Sequence, residues 1–210
     1  MEINLDESAM PQTLRLPLFA AAQIGTAQNA VDDRFLIFVG LNEDMAQQLK
    51  TLSLDASDTE LDKNTSDRKR FGEGSYENWY SKNRVPFALV HEGDGKLAAL
   101  MWYGPKQLGK KSLKHLSEKE MHEEDVLGPP GDEWHTVSFR SYPPFRGKGI
   151  MKDFAKTTMD LYLRYFPNVR LWAGTERTNA ASMALSSKLG FTLDESASDS
   201  DWVAMVQAKR

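Results

Sequence analysis

Residues 134–151 read WHTVSFRSYPPFRGKGIM, and no other stretch limits the fold as much. WHTVSFRSY (134–142) alternates partly in the two-residue rhythm of a strand. It stops at Pro143 and Pro144, which have no N–H to give to a ladder. Past the glycines, Ile150, Met151, Phe154, Thr158, Leu161, Tyr162 and Tyr165 recur three or four apart, which predicts a helix lying on a sheet. NVRLWAGT (168–175) predicts a further strand, NAASMALSSKLG a helix closed by Gly190, and DWVAMVQ a last strand. Strand, helix, strand, helix, strand means a sheet with helices packed on it, so the fold class is α/β (α+β).

Upstream, VPFALVHEGDGKLAALMWYG (85–104) has two apolar runs split by Gly93, Asp94 and Gly95, the signature of a hairpin. RFLIFVG (34–40) predicts a buried strand. NEDMAQQLKTL after it, acidic early and basic late, predicts a helix. YENWYSK (76–82) has the look of one or two helical turns. Residues 1–30 give no clear pattern. Residues 53–74 are polar and predict a surface loop in which Arg68, Lys69 and Arg70 form a solvated face. Residues 105–133 are polar too, with a helical KSLKHLSEKEMHEED and a turn at GPPGD. His115 and His122 sit one heptad apart there without a third ligand, so they read as exposed helix histidines and no metal is expected.

At 210 residues and 40% apolar side chains the chain can bury one full core, and one domain over 1–210 is expected. A net charge of −4 argues against a general nucleic-acid binder, which needs a broad cationic surface. LPLFAAAQIG is too short to span a bilayer, so no membrane partner is expected. The absence of cysteine excludes disulfides and thiolate chemistry and fits the cytoplasm.

The turn itself points to an anion. A helix begins with N–H groups that lack carbonyl partners and with partial positive charge. Gly147 and Gly149 leave that backbone bare, and Arg146 and Lys148 add cations. The spacing is that of neither a P-loop nor the three-glycine dinucleotide fingerprint.

PPFRGKGIM, followed thirty-three residues after Arg146 by NAASMALSSKLGF, resembles the GCN5-related N-acetyltransferase (GNAT) superfamily. Its signature is Arg or Gln, two residues, Gly, one residue, then Gly or Ala. Here it reads Arg146, Gly147, Lys148, Gly149, Ile150, Met151, with methionine in the small sixth position. Its second motif, an asparagine leading a helix that ends in Leu-Gly-Phe, is matched by Asn179, Leu189, Gly190 and Phe191. The resemblance implies a mixed, mostly antiparallel sheet splayed between two parallel strands, 134–142 and 168–174, with helices on both faces. It also implies acetyl-CoA as cosubstrate, with its pyrophosphate on the turn and the pantetheine arm between those strands. The acceptor would be a small-molecule or peptide amine, and the protein a monomer or homodimer.

The chemistry so implied is attack of a neutral amine on a thioester, which needs a proton acceptor and donors for the oxyanion. The donors would be backbone N–H groups near Phe139, Arg140 and Ser141. Where protein-lysine members of the family hold a glutamate, eleven residues before the signature, this chain has His135, with Glu133 as a fallback base. Where many members hold a tyrosine acid, seven residues after the asparagine, it has Ser186; Ser187 would serve only on a rotated helix. Tyr142 and Tyr162 read as packing residues. Trp102 and Tyr103 are expected to line the acceptor pocket, while Trp79, Tyr80 and Trp172 fit either pocket or core. An acyl-CoA-dependent N-acetyltransferase and a noncatalytic acyl-CoA sensor both fit these residues.

Overall fold

Among the described residues, nine strands hydrogen-bond into one sheet in the order β1-β2-β3-β4-β5-β6-β7-β9-β8. They are β1 (Glu2–Leu5), β2 (Ala21–Gln28), β3 (Arg34–Gly40), β4 (Val85–His91), β5 (Leu97–Pro105), β6 (Trp134–Ser141), β7 (Arg170–Glu176), β8 (Phe191–Asp194) and β9 (Trp202–Gln207). The structure, a computed structural model, describes residues 1–111 and 134–208. The expectations for His115, His122, Glu133, the 105–133 helix and the GPPGD turn therefore lie outside the described residues, apart from 105–111.

Every neighbouring pair is antiparallel except β6 and β7, which run parallel. The hairpin is the β4–β5 pair, with Gly95 at φ 67° in its turn. The fold is thus mixed α/β, an open and mostly antiparallel sheet with one parallel pair.

One face of the sheet carries α4 (Ile150–Tyr165). Its stripe, Ile150, Phe154, Leu161 and Tyr162 among it, is buried against Met101, Tyr103 and Val137. Each such side chain taken fully out of water contributes about 1.5–3 kcal/mol. The other face carries α1 (Glu43–Leu54), α2 (Thr59–Asn64), a π-helical turn (Arg68–Gly72) and α3 (Tyr76–Tyr80), packed around Leu41, Leu49, Phe71, Leu100 and Trp102. The last helix, α5 (Ala180–Lys188), connects β7 to β8.

Two expectations change. Residues 1–30 hold β1 and β2, whose signal is weak because β1 has four residues and β2 is rich in small side chains with a register shift between Gln23 and Gly25. Residues 53–74 are an ordered cap over the sheet rather than a solvated loop: Asp58, Ser66, Asp67 and Phe71 are buried. Polarity was misleading because those aspartates are buried as ion pairs with arginines of the β6 region.

Candidate functional site

β6 pairs with β7 only through Trp134–Arg170, His135–Leu171 and Thr136–Trp172. β5 meanwhile follows β6 without a register shift from His135 to Ser141. From Val137 onward the strands part, leaving a V-shaped gap in the sheet. A cleft of about 920 Å³ opens there, floored by β6 from Thr136 to Ser141 and by β7 from Trp172 to Thr175, and roofed by α2, the π-helical turn and α3.

Alternation decides which β6 backbone groups face the gap. The Tyr142 N–H donates to Ala98 O at 3.0 Å, towards β5. Phe139 and Ser141 therefore turn the other way. Their carbonyls accept from Arg140 (2.8 Å) and from Arg146 (3.1 Å), not from β5. The Phe139 N–H thus points into the gap, while that of Arg140 belongs to the β5 ladder.

At the wide end of the gap lies the glycine turn. Gly147 and Gly149 adopt φ of 81° and 73°, which other residues rarely tolerate. A Cβ at either would meet nothing within 4 Å among the described residues, which leave the space over the turn open. Helices α1, α2, α3 and α5 are each capped by a side chain, Asn42, Asp58, Ser75 and Asn179. α4 starts from Gly149 with no side-chain cap. Its first-turn N–H groups therefore have no side-chain cap among the described residues.

The turn's cations are differently employed. Arg146 grips Asp58 through both guanidinium nitrogens, at 2.7 and 2.6 Å, and donates to Ser141 O. Lys148 Nζ pairs with Asp33 at 3.1 Å. The hydrogen bond from Arg146 holds the Asp58 carboxyl below its ordinary range, and that from Lys148 does the same to Asp33. Arg146 is therefore a brace between α2 and the end of β6.

A second brace stands behind the cleft wall. Fully buried Asp67 takes Arg140 Nε and NH2 at 2.5 and 3.0 Å, and Arg70 NH1 at 2.6 Å. Burial would raise the Asp67 pKa, but the charges of Arg140 and Arg70 outweigh it and hold the group ionised, below the usual carboxylate value. Both guanidiniums lie over the ring of Trp102, at 4.8 and 5.6 Å.

The model of the acetyltransferase (GNAT) domain matches residues 59–192, well over half of the chain. The chain belongs to that family. Among curated proteins no sequence matches it. The solved GNAT domain of S. lividans PAT superposes with a TM-score of 0.57 at 12% identity, over 86% of this chain and 94% of that one. RimL, a ribosomal L7/L12 α-N-protein acetyltransferase, gives 0.57 at 15% identity, over 89% and 96%. A spermidine N-acetyltransferase, a SpeG chimera from Vibrio cholerae and hSSAT, gives 0.53 at 12%, over 82% and 95%. At such identities the likeness is one of fold.

Within this GNAT domain the residues singled out from the sequence divide by sheet face. Arg140, Ser141, Arg146, Met151, Asn179 and Trp102 line the cleft, as do Phe139, Trp79 and Trp172. Asn179 is also the α5 cap, its Oδ1 accepting from Ser182 N–H at 3.0 Å. Ile150, the first residue of α4, is buried in the core, and Gly147, Lys148 and Gly149 form the exposed turn.

His135, Tyr103 and Ser186 are not among the cleft-lining residues. His135 is 8% exposed and lies on the α4 face, its Nδ1 2.7 Å from Tyr162 Oη. Tyr103 stacks on Tyr162 with ring centroids 4.4 Å apart and shares a hydrogen bond with Thr158. Adjacent strand residues face opposite ways, so Trp102 and Tyr103 cannot both face one cleft. Ser186 is 1% exposed, with no hydrogen-bond partner for its Oγ among the described residues, while Ala181, Ser182 and Leu185 are the α5 residues that line the cleft. Ser187 is exposed, and Tyr80 donates to Leu16 O.

The sequence reading passed over Thr136 and Ser138, which share the cleft face of β6 with Arg140, and over Asp58 and Asp67. Two-residue alternation from Arg140 would have found the first pair. The second pair is harder to find: Asp67 has Arg70 three residues on, but Arg140 lies 73 residues from Asp67 and Arg146 lies 88 from Asp58.

Proposed function

We propose that this GNAT protein transfers an acetyl group from acetyl-CoA to a primary amine by direct attack in a ternary complex. The observation that carries the reading is the alignment of an uncapped helix start, bared by Gly147 and Gly149, with a gap between β6 and β7 whose wall presents the Phe139 N–H. The amides of residues 149–151 would take the pyrophosphate, and the gap a thin pantetheine chain. In the reaction the amine nitrogen attacks the thioester carbonyl carbon. The Phe139 N–H would donate to the oxygen on which charge develops. The C–S bond then breaks, the amide forms, and the leaving thiolate takes a proton.

Neither proton transfer is assigned to the residues expected from the sequence. His135 is engaged with Tyr162 behind the sheet, and Ser186 is sealed beneath α5. Solvent reaching the cleft is the proton carrier in this reading. The cytoplasm is its compartment, proposed on the cysteine-free composition alone.

The test is acetyl-CoA-dependent thiol release across a panel of amines, beside calorimetric titration with CoA. Micromolar CoA binding with turnover of at least one amine is the expected result. CoA binding with no turnover of any amine would instead favour a noncatalytic acyl-CoA sensor, and no CoA binding would end both readings.

A further inference from the structure

α4 runs back along β6, and the two are joined at both ends. At one end the chain itself joins them, through residues 142–149 with the glycine turn. At the other, the His135 side chain meets that of Tyr162, Nδ1 to Oη at 2.7 Å, both residues buried. The lengths agree. His135 to Ser141 is about 20 Å of strand at about 3.3 Å per residue, and Ile150 to Tyr162 about 18 Å of helix at about 1.5 Å per residue. The result is a closed frame, with the turn as one short side and the His135–Tyr162 bond as the other.

Both partners of that bond are held by their neighbours. The Tyr162 ring stacks on Tyr103, centroids 4.4 Å apart, and packs on Phe166 at 4.6 Å. On the strand side, His135 is one of the three β6 residues that still pair with β7, just before the strands part, and it pairs with Pro105 of β5 as well. The side chain tied to α4 thus belongs to the apex of the gap.

Resting on the acetyl-transfer reading above, we propose that His135 is a positioning residue: through Tyr162 it fixes α4 against the apex of the gap, and so sets the span between the turn's amides and the Phe139 N–H. A thioester held at both points is a two-site ligand, and the second contact adds affinity only when the span fits the chain that links the two. A misplacement of about 1 Å can cost about a hundredfold in rate. Without the bond, α4 keeps its buried stripe and the protein its fold, but the span is no longer fixed. The role asks no proton transfer of the imidazole, which lies on the α4 face and not in the cleft.

The experiment uses Tyr162→Phe, which removes the hydroxyl and keeps the ring, beside His135→Leu. His135→Asn puts a side-chain amide where Nδ1 stood and can keep the bond. Tyr165→Phe is the control: it removes a hydroxyl of the same helix, one that donates to Pro11 O at 2.7 Å, away from β6. Wild-type CoA binding and turnover are measured first. Two ligands are then compared: acetyl-CoA, which spans turn and gap, and ADP, which has the diphosphate without the pantetheine chain. Tyr162→Phe and His135→Leu are expected to weaken acetyl-CoA by about tenfold, the scale of one hydrogen bond, with ADP within about twofold of wild type. Their kcat is expected to fall at least about tenfold, with the acceptor KM little changed. His135→Asn is expected to regain most of the loss, with the wild-type shape of the kcat pH profile. Tyr165→Phe is expected to lower the urea midpoint as Tyr162→Phe does, and to leave kcat and both affinities within about twofold. Where the wild type binds CoA but acetylates no amine, the acetyl-CoA to ADP affinity ratio decides alone. Equal effects of Tyr162→Phe and Tyr165→Phe, an unchanged affinity ratio, or a pH-profile limb lost in His135→Asn overturns the positioning role and leaves acetyl transfer standing. Failure of the wild type to bind CoA overturns both.

Discussion

Gly147 and Gly149 combine two properties that substitution can separate: a positive φ, which costs stability when any side chain is added, and an open space above the turn. Alanine in the left-handed region costs about 1–2 kcal/mol. Gly190 offers a matched control, with φ 86° and nothing within 4 Å of a Cβ, at the end of α5. Gly147→Ala, Gly149→Ala and Gly190→Ala are therefore expected to lower the urea midpoint alike. Only the first two are expected to weaken CoA binding, by tenfold or so if one pyrophosphate hydrogen bond is lost. Equal CoA affinity in all three would remove the turn from the binding site. These glycines were legible in the sequence because glycine spacing before a helix is a local signal. His135 is the opposite case: its place in the strand was legible, but its parity sets it against Tyr162 and not among the cleft-lining residues, and parity is known only once the cleft's face is known.

At the scale of elements, the segment from α2 to the π-helical turn is held onto the sheet by two aspartates, Asp58 on Arg146 and Asp67 on Arg140 and Arg70. A run of polar residues reads as loop whenever its partners lie far along the chain, which is why this cap was invisible, whereas the β4–β5 hairpin, closed by a short glycine-containing turn, was not. Burial opposes ionisation of Asp67, but the two arginine charges prevail, and its folded pKa lies below the ordinary value; the Arg146 hydrogen bond depresses that of Asp58. The sign follows. A depressed folded pKa gives stability that is present above the ordinary carboxylate range and is lost as pH falls through the folded value. Wild-type stability should fall steeply below about pH 4. Asp67→Asn keeps the shape but leaves two guanidiniums, 16% and 15% exposed, facing a neutral amide. Its expected cost is about 3–5 kcal/mol at pH 7, with a shallower decline towards pH 3, both read from urea unfolding. An acid limb as steep as the wild type's would mean that the Asp67 braces do not govern it.

The whole molecule carries −4, yet the charge is segregated. Around the cleft, Arg70, Arg140 and Arg146 are set against Asp67 and Asp58, and Lys69, Lys82, Arg84, Lys106 and Glu60 are also among the lining residues. The far field and the near field therefore make opposite demands on an anionic cosubstrate. A protein repelling CoA through its net charge would bind it faster as salt rises. One that focuses positive potential in a cleft with low-dielectric walls would bind it more slowly. Raising ionic strength from about 0.01 to about 0.1 M shortens the screening length from about 30 to about 10 Å. The field inside the cleft acts over the last few ångströms, where net charge counts least. Stopped-flow fluorescence has a built-in probe, since Trp79, Trp102, Trp172 and Trp202 line the cleft, four of the five tryptophans in the chain. The association rate for CoA is expected to fall several-fold over that salt range, the low end of the roughly 10- to 1,000-fold that steering provides. A rate that climbs with salt would show that the acidic surface, not the cleft, controls the approach.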